Sequence, residues 1–189
     1  NGVVLAAGNL PVTATVSNVN GASSDDVATD NSVTINVNPV VPAPGKMVVG
    51  EEGTGTWCGW CPRGAVAMEY MDNKHTDGTF IGIAVHNGDP MTVTDYDNGA
   101  NFSGFPGANI DRLLLGVSVS NTAFDNYYSV LSTLVAPVST SCNMTFNKST
   151  RALTINASAT FKTTISSTIN LLAVMVEDDV RGTDAGYNQ

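Results

Sequence analysis

The sequence predicts an α/β protein: a dithiol-bearing α/β domain, with a β-rich segment before it and an antiparallel β extension after it. Three observations predict this. The first and last quarters of the chain alternate apolar and polar side chains at the period of strands. The middle runs apolar stretch, helix-compatible stretch, apolar stretch, the order of a βαβ unit. Cys58 and Cys61, two residues apart, fall where the first of those strands meets the helix. At 189 residues the chain is long enough for one large domain or two small ones.

In residues 1–38, Val12, Ala14 and Val16 alternate with Thr13, Thr15 and Ser17, and Val33, Ile35 and Val37 alternate with Thr34 and Asn36. Between them Asn20-Gly21-Ala22-Ser23-Ser24-Asp25-Asp26 is a turn-forming cluster. Two or three strands cannot bury a sandwich core alone, so this segment is expected to be the last part of an immunoglobulin-like sandwich or to pack on the next domain. Asp25, Asp26 and Asp30 lack the ordered oxygen spacing of a calcium loop and are read as solvated turn carboxylates. Residues 39–45, with Pro39, Pro42, Pro44 and Gly45, form a stiff linker and the domain boundary.

Residues 46–136 form the dithiol domain. Met47-Val48-Val49 opens a buried strand that Glu51-Glu52-Gly53-Thr54-Gly55 carries to the cysteines. After Pro62, Val66, Ala67, Tyr70 and Met71 fall on one helical face. Phe80-Ile81-Gly82-Ile83-Ala84-Val85 reads as a strand covered on both faces. The resulting βαβ unit puts the cysteines at the carboxyl edge of the sheet, and His86 and Asp89 emerge on the same edge. His86 is read as a proton-transfer or thiolate-stabilising group, or as a histidine bonded to the Asn87-Gly88-Asp89-Pro90 turn. His75 ends the helix, and Asp95, Asp97 and Asn98 lie on the polar face of a short helix or turn. Gly104-Phe105-Pro106-Gly107 is a candidate cis-peptide turn. Residues 121–136 form a helix with Phe124, Tyr127, Tyr128, Leu131 and Val135 inward, Asn121 as cap and Pro137 as stop.

Residues 137–189 continue as antiparallel β structure. Val138, Thr140, Cys142, Met144 and Phe146 share one face, and Leu153, Ile155, Ala157, Ala159 and Phe161 share another, joined by the turn Asn147-Lys148-Ser149-Thr150. Cys142 is expected to be a buried packing thiol, and residues 170–176 the last strand.

The chemistry centres on Trp57-Cys58-Gly59-Trp60-Cys61-Pro62. At a helix start, unpaired N–H groups and the dipole favour a Cys58 thiolate, and Cys61 one turn on is close enough to close an intramolecular disulfide. A redox-active pair and an inert disulfide both fit. A zinc site would need two more ligands, and Cys142, His75 and His86 stand in no paired spacing, so no metal is expected. A charged fraction of 13% with abundant Thr, Asn, Ser and Gly suits a β-rich extracellular or envelope protein. A net charge of −9 with eight scattered basic residues excludes a nucleic-acid partner. No apolar run approaches membrane-spanning length, and without an initiator Met the chain is expected to be a processed one.

Four separated motifs carry a resemblance: residues 51–64 around the cysteines, Ala84-Val85-His86-Asn87-Gly88-Asp89-Pro90-Met91, Gly104-Phe105-Pro106-Gly107, and Glu177-Asp178 with Gly186-Tyr187-Asn188-Gln189. Over residues 45–189 the chain resembles the outer-membrane-protein family often called Omp-twenty-eight. That resemblance implies a thioredoxin-like domain in a Gram-negative envelope protein, commonly a lipoprotein anchored outside this stretch, with immunoglobulin-like modules and adhesion among its suggested functions. Trp57-Cys58-Gly59 and Pro62 match thioredoxin itself, and Glu52 falls where thioredoxin carries a buried acid that helps deprotonate the second cysteine. Glu51 and Glu52 alternate faces, which leaves open which of them is buried. The middle pair Gly59-Trp60 lacks the histidine of strongly oxidising relatives.

The expected activity is thiol–disulfide exchange without a cofactor. Cys58 attacks, Cys61 resolves and Glu52 accepts the proton; Trp57, Trp60, Phe105 and Pro106 contact the substrate, with Arg63 and His86 behind them. The expected partner is a disulfide-bearing protein or an envelope redox protein. The competing expectation is a surface binding or adhesion protein that uses the same scaffold with a permanent disulfide.

Overall fold

The computed structural model describes residues 9–18, 21, 27, 29–37, 39, 46–166 and 168–180. The expected turn at residues 22–26, most of the Pro-rich linker and the motif at residues 186–189 lie outside the described residues. The protein is mixed α/β, and its contacts divide it into two compact units: residues 1–44 with 135–170, and residues 45–134 with 171–189.

The first unit holds two antiparallel hairpins. β1 (Leu10–Thr15) pairs with β2 (Ser32–Val37) so that Val12 faces Ile35 and Ala14 faces Val33. β7 (Val138–Asn147) pairs with β8 (Ala152–Phe161), with Met144 opposite Ile155 and Phe146 opposite Leu153. Its turn forms because the Asn147 side-chain oxygen accepts from the N–H groups of Ser149 and Thr150, the local bonding that makes asparagine a turn residue.

Cys142 is exposed, not a buried packing thiol. Alternation assigns a residue to a face, and it cannot supply the layer that covers that face; Met144 and Phe146 beside it are also exposed. Residues 170–176 form no strand either. An apolar run states a preference for burial, but a strand also needs an edge to pair with, and this run joins no ladder.

The second unit is built on a four-stranded mixed sheet in the order β4-β3-β5-β6. β3 (Val48–Thr54) lies parallel to β4 (Phe80–His86), with Val48 opposite Phe80 and Thr54 opposite His86. β5 (Gly107–Ile110) runs antiparallel to β3 and to β6 (Leu114–Val117). Asp111 and Arg112 turn the chain between β5 and β6, both with positive φ. Such a turn matches the twist of the hairpin but gives little periodic signal in sequence.

Helix α1 (Pro62–Lys74) connects β3 to β4. Proline at the first helical position has no N–H to leave unpaired, and its fixed φ suits the helix. The buried stripe is Gly64, Ala67, Met68 and Met71; Val66, expected on that face, is exposed. Val66 lies about 160° of helix rotation from both Gly64 and Met68, on the side away from the stripe. α2 (Thr94–Ala100) carries Asp95 and Asp97.

Helix α3 spans Asn121–Leu131, and Ser120, not Asn121, caps it by accepting from the Ala123 N–H. Val135 lies beyond the helix and is exposed. The core joins Val48, Ala67, Met68, Met71, Phe80, Ala108, Ile110, Val119, Phe124 and Leu131. Phe124 meets the edge of Phe80 with ring centroids 6.1 Å apart. Truncating a buried aromatic of this kind costs about 3–5 kcal/mol.

Candidate dithiol site

β3 delivers the chain to the carboxyl edge of the sheet, where Cys58 and Cys61 form a disulfide with Cα atoms 5.5 Å apart. Both cysteines precede the regular helix. Cys58 lies in the turn and Cys61 is the N-cap of α1, with its carbonyl accepting from the N–H groups of Gly64 and Ala65. Burial differs between the sulfurs' residues: Cys61 is fully enclosed and Cys58 is 7% exposed. The more accessible residue is therefore the one expected to attack.

Cys61 Sγ lies 3.9 Å from the carbonyl oxygen of Gly53, the residue after Glu52. Glu52 itself is 1% exposed, its Oε1 has no hydrogen-bond partner, and burial pushes its pKa up to about 8. Desolvation disfavours the carboxylate, so at neutral pH the group is held largely as the acid. Its neighbour Glu51 has the opposite fate. It is also buried, but Arg112 grips both its oxygens at 2.7–3.2 Å and the Tyr96 hydroxyl donates to Oε1 at 2.6 Å. Burial and the Glu51 bond push Tyr96 up to about 12. The two adjacent glutamates thus occupy opposite faces of β3, both inside the protein.

The approach to the disulfide is aromatic. Trp57 is more than half exposed, donates its indole N–H to the Asn87 carbonyl at 2.6 Å, and meets the edge of Phe105 at 5.3 Å. Phe105 continues to Phe102 at 6.1 Å. Phe102 sits over Gly53, where a Cβ would come within 2.6 Å of its ring. The Phe105–Pro106 peptide bond is cis, and both residues are partly exposed. Trp60 is 71% exposed and projects from the turn between the cysteines.

His86 donates its Nδ1–H to Asp89 Oδ2 at 2.6 Å, the turn-bonded arrangement. Asp89 also accepts from the N–H groups of Thr56 at 2.9 Å and Met91 at 2.9 Å. Burial raises its pKa, but the His86 contact and these backbone bonds outweigh that and hold it below the usual carboxylate range. Asp89 therefore ties the loop leading into Cys58 to the end of β4. The Arg63 guanidinium reaches the Val119 carbonyl at 3.4 Å.

Sequence reading passed over four of these participants. Arg112, Tyr96 and Phe102 come from elements whose spacing says nothing about Glu51 or Gly53, and Gly64 was one residue among others in the cysteine motif. Among the described residues, no group of three or more His, Cys, Asp or Glu side chains is arranged to hold a metal ion.

Fold and site together define a mixed α/β protein with a disulfide at the carboxyl edge of a βαβ unit and, on the strand that leads to it, a buried glutamate whose pKa burial raises. No protein-family model and no curated protein matches the chain. Among solved structures it is similar to HBP35 of Porphyromonas gingivalis, at 21% identity and a TM-score of 0.40 over 53% of this chain. The chain spans 37% of the length of that protein.

Proposed function

We propose that the chain is a thioredoxin-like thiol–disulfide exchange protein of the Gram-negative cell envelope, with residues 1–38 an immunoglobulin-like segment, 39–45 a linker, 46–136 the thioredoxin-like domain and 137–189 a β extension after it. The observation that carries the reading is Glu52: a carboxyl enclosed without a partner on the strand behind Cys61. An acid in that setting is costly to the fold and useful to a proton transfer. The Omp-twenty-eight resemblance and the low charged fraction of a Thr- and Asn-rich composition support the location. No helix among the described residues is long and apolar enough to cross a membrane.

In the reduced protein the Cys58 thiolate attacks a substrate disulfide. The substrate S–S bond breaks, its leaving sulfur departs with the electron pair, and a mixed disulfide forms. In the fraction of molecules where Glu52 is ionised, its carboxylate, made a stronger base by burial, takes the Cys61 proton; Cys61 then attacks Cys58 Sγ and releases the second substrate thiolate. The substrate has gained two electrons, the protein holds the Cys58–Cys61 disulfide, and Glu52 holds the proton. An envelope dithiol restores the reduced protein. Trp57, Trp60, Phe105 and Pro106 form the surface on which the substrate chain lies.

A second reading, a binding or adhesion protein with a permanent disulfide, is favoured by the exposed apolar residues of the two hairpins, Val33, Ile35, Met144 and Phe146. Titration of the Cys58–Cys61 pair against glutathione separates the two. A potential between about −120 and −270 mV supports exchange, and one below about −300 mV assigns a structural disulfide. Cys58→Ser is expected to abolish reduction of a protein disulfide while leaving the far-ultraviolet circular dichroism unchanged; retained turnover in that variant refutes the mechanism.

A further inference from the structure

Gly64 is the third residue of α1 and is buried. Its backbone does not require glycine, because its φ lies outside the left-handed region. Inside a helix glycine is less favourable than alanine, so an ordinary helical φ leaves its presence to be explained by space. The space has one claimant. An ideal Cβ on Gly64 overlaps Oε1 and Cδ of Glu52 and comes within 2.9 Å of its Cγ, and these are its three nearest atoms. The Gly64 N–H is already bonded to the Cys61 carbonyl at 2.8 Å, so it does not serve the carboxyl as a donor.

We propose that Gly64 is a positioning residue: the bare first turn of α1 is the seat of the Glu52 carboxyl, and the long acid and the missing Cβ form one size-matched pair. The seat holds an unpartnered acid against the same helical turn that begins at Cys61. A methyl group at position 64 expels the carboxyl toward water or toward other polar groups. An alanine at position 52 removes Cγ and everything beyond it, and admits the methyl. The consequence for exchange rests on the reading of Glu52 as the proton acceptor of Cys61; the size match does not.

The test is a cycle in the oxidised full chain: wild type, Gly64→Ala, Glu52→Ala and the double variant, the carboxyl titration being read in the two proteins that keep Glu52. The readouts are carbon-13 NMR titration of the residue-52 carboxyl, urea denaturation at neutral pH, and reduction of a protein disulfide. Gly64→Ala is expected to lower the carboxyl midpoint from about 8 by about one pH unit or more toward its ordinary value of 4.5. It is also expected to lower the denaturation midpoint and to slow exchange about tenfold or more. In the Glu52→Ala background the same change is expected to raise the denaturation midpoint, as alanine does at an unobstructed helical glycine.

The proposal is overturned if Gly64→Ala leaves the carboxyl midpoint in place, or destabilises both backgrounds equally. Should Gly64→Ala fail to fold, the double variant decides: a folded double variant supports the seat and an unfolded one overturns it. Absence of exchange by the wild type overturns the redox reading alone, because neither the titration nor the denaturation depends on it.

Discussion

Replacing Glu52 with glutamine should remove a pH dependence of stability that the wild type carries near neutrality. The folded-state pKa of Glu52 is raised from 4.5 to about 8, so between those values the folded chain binds more protons than the unfolded chain. Stability therefore falls as pH rises through that window, the reverse of a salt-bridged carboxylate. The gap is about 3.5 pH units, and at about 1.4 kcal/mol per unit the ceiling is about 5 kcal/mol, reached only above about pH 8. Between about pH 5 and pH 7 the loss is on the order of 2–3 kcal/mol. Urea denaturation of the oxidised protein at intervals from pH 5 to pH 8 measures it. Glutamine approximates the protonated side chain and cannot ionise, so the variant should lose the slope while other titrating groups remain common to both proteins. An identical slope in wild type and Glu52→Gln would refute the assignment of a buried neutral acid.

Two further outcomes follow from the same geometry. Arg112→Ala leaves Glu51 buried with Tyr96 as its remaining partner, and should cost about 2–3 kcal/mol in chemical denaturation, less than a fully enclosed pair because Arg112 is half exposed; a loss below about 0.5 kcal/mol would show that water already serves Glu51. Asp89→Asn removes the carboxylate that accepts from Thr56 and Met91, and should lower hydrogen-exchange protection of the Thr56 amide with a stability loss of about 1–3 kcal/mol. Unchanged protection at Thr56 would mean that the loop before Cys58 is held by other bonds.

The parts of the fold legible in sequence were those written in local rules. The βαβ order around the cysteines, Pro62 at the head of α1 and the Asn147 turn each rest on a residue whose own chemistry dictates the backbone. The parts that were not legible depend on which layer arrives to cover a face. The alternation in β7 and β8 placed Cys142 on an apolar face correctly, and no pattern in those residues states that the face stays open. The run at residues 170–176 has the composition of a strand yet pairs with none. β5 shows the converse: Gly107, Ala108 and Asn109 carry weak strand signals, yet all are buried because β3 and β6 flank them. Asn109 fits there because it donates to the Ala100 carbonyl at 2.8 Å and accepts from the Gly116 N–H at 2.9 Å.

The two glutamates of β3 show where structure ends and function begins. A strand buried on both faces must neutralise every carboxylate it carries, either with a counter-charge or with a proton. On the Glu51 face the sheet recruits Arg112 from the β5–β6 turn and Tyr96 from α2, which supply a counter-charge and a hydroxyl donor. On the Glu52 face α1 presents Gly64, a space with no donor aimed at Oε1, and the proton is retained instead. An apolar side chain of similar size would serve the fold better at position 52, since it would carry no desolvation penalty at any pH. On the exchange reading proposed above, a polar group kept at such a cost, on the strand that leads to the cysteines, serves the chemistry of the neighbouring sulfur.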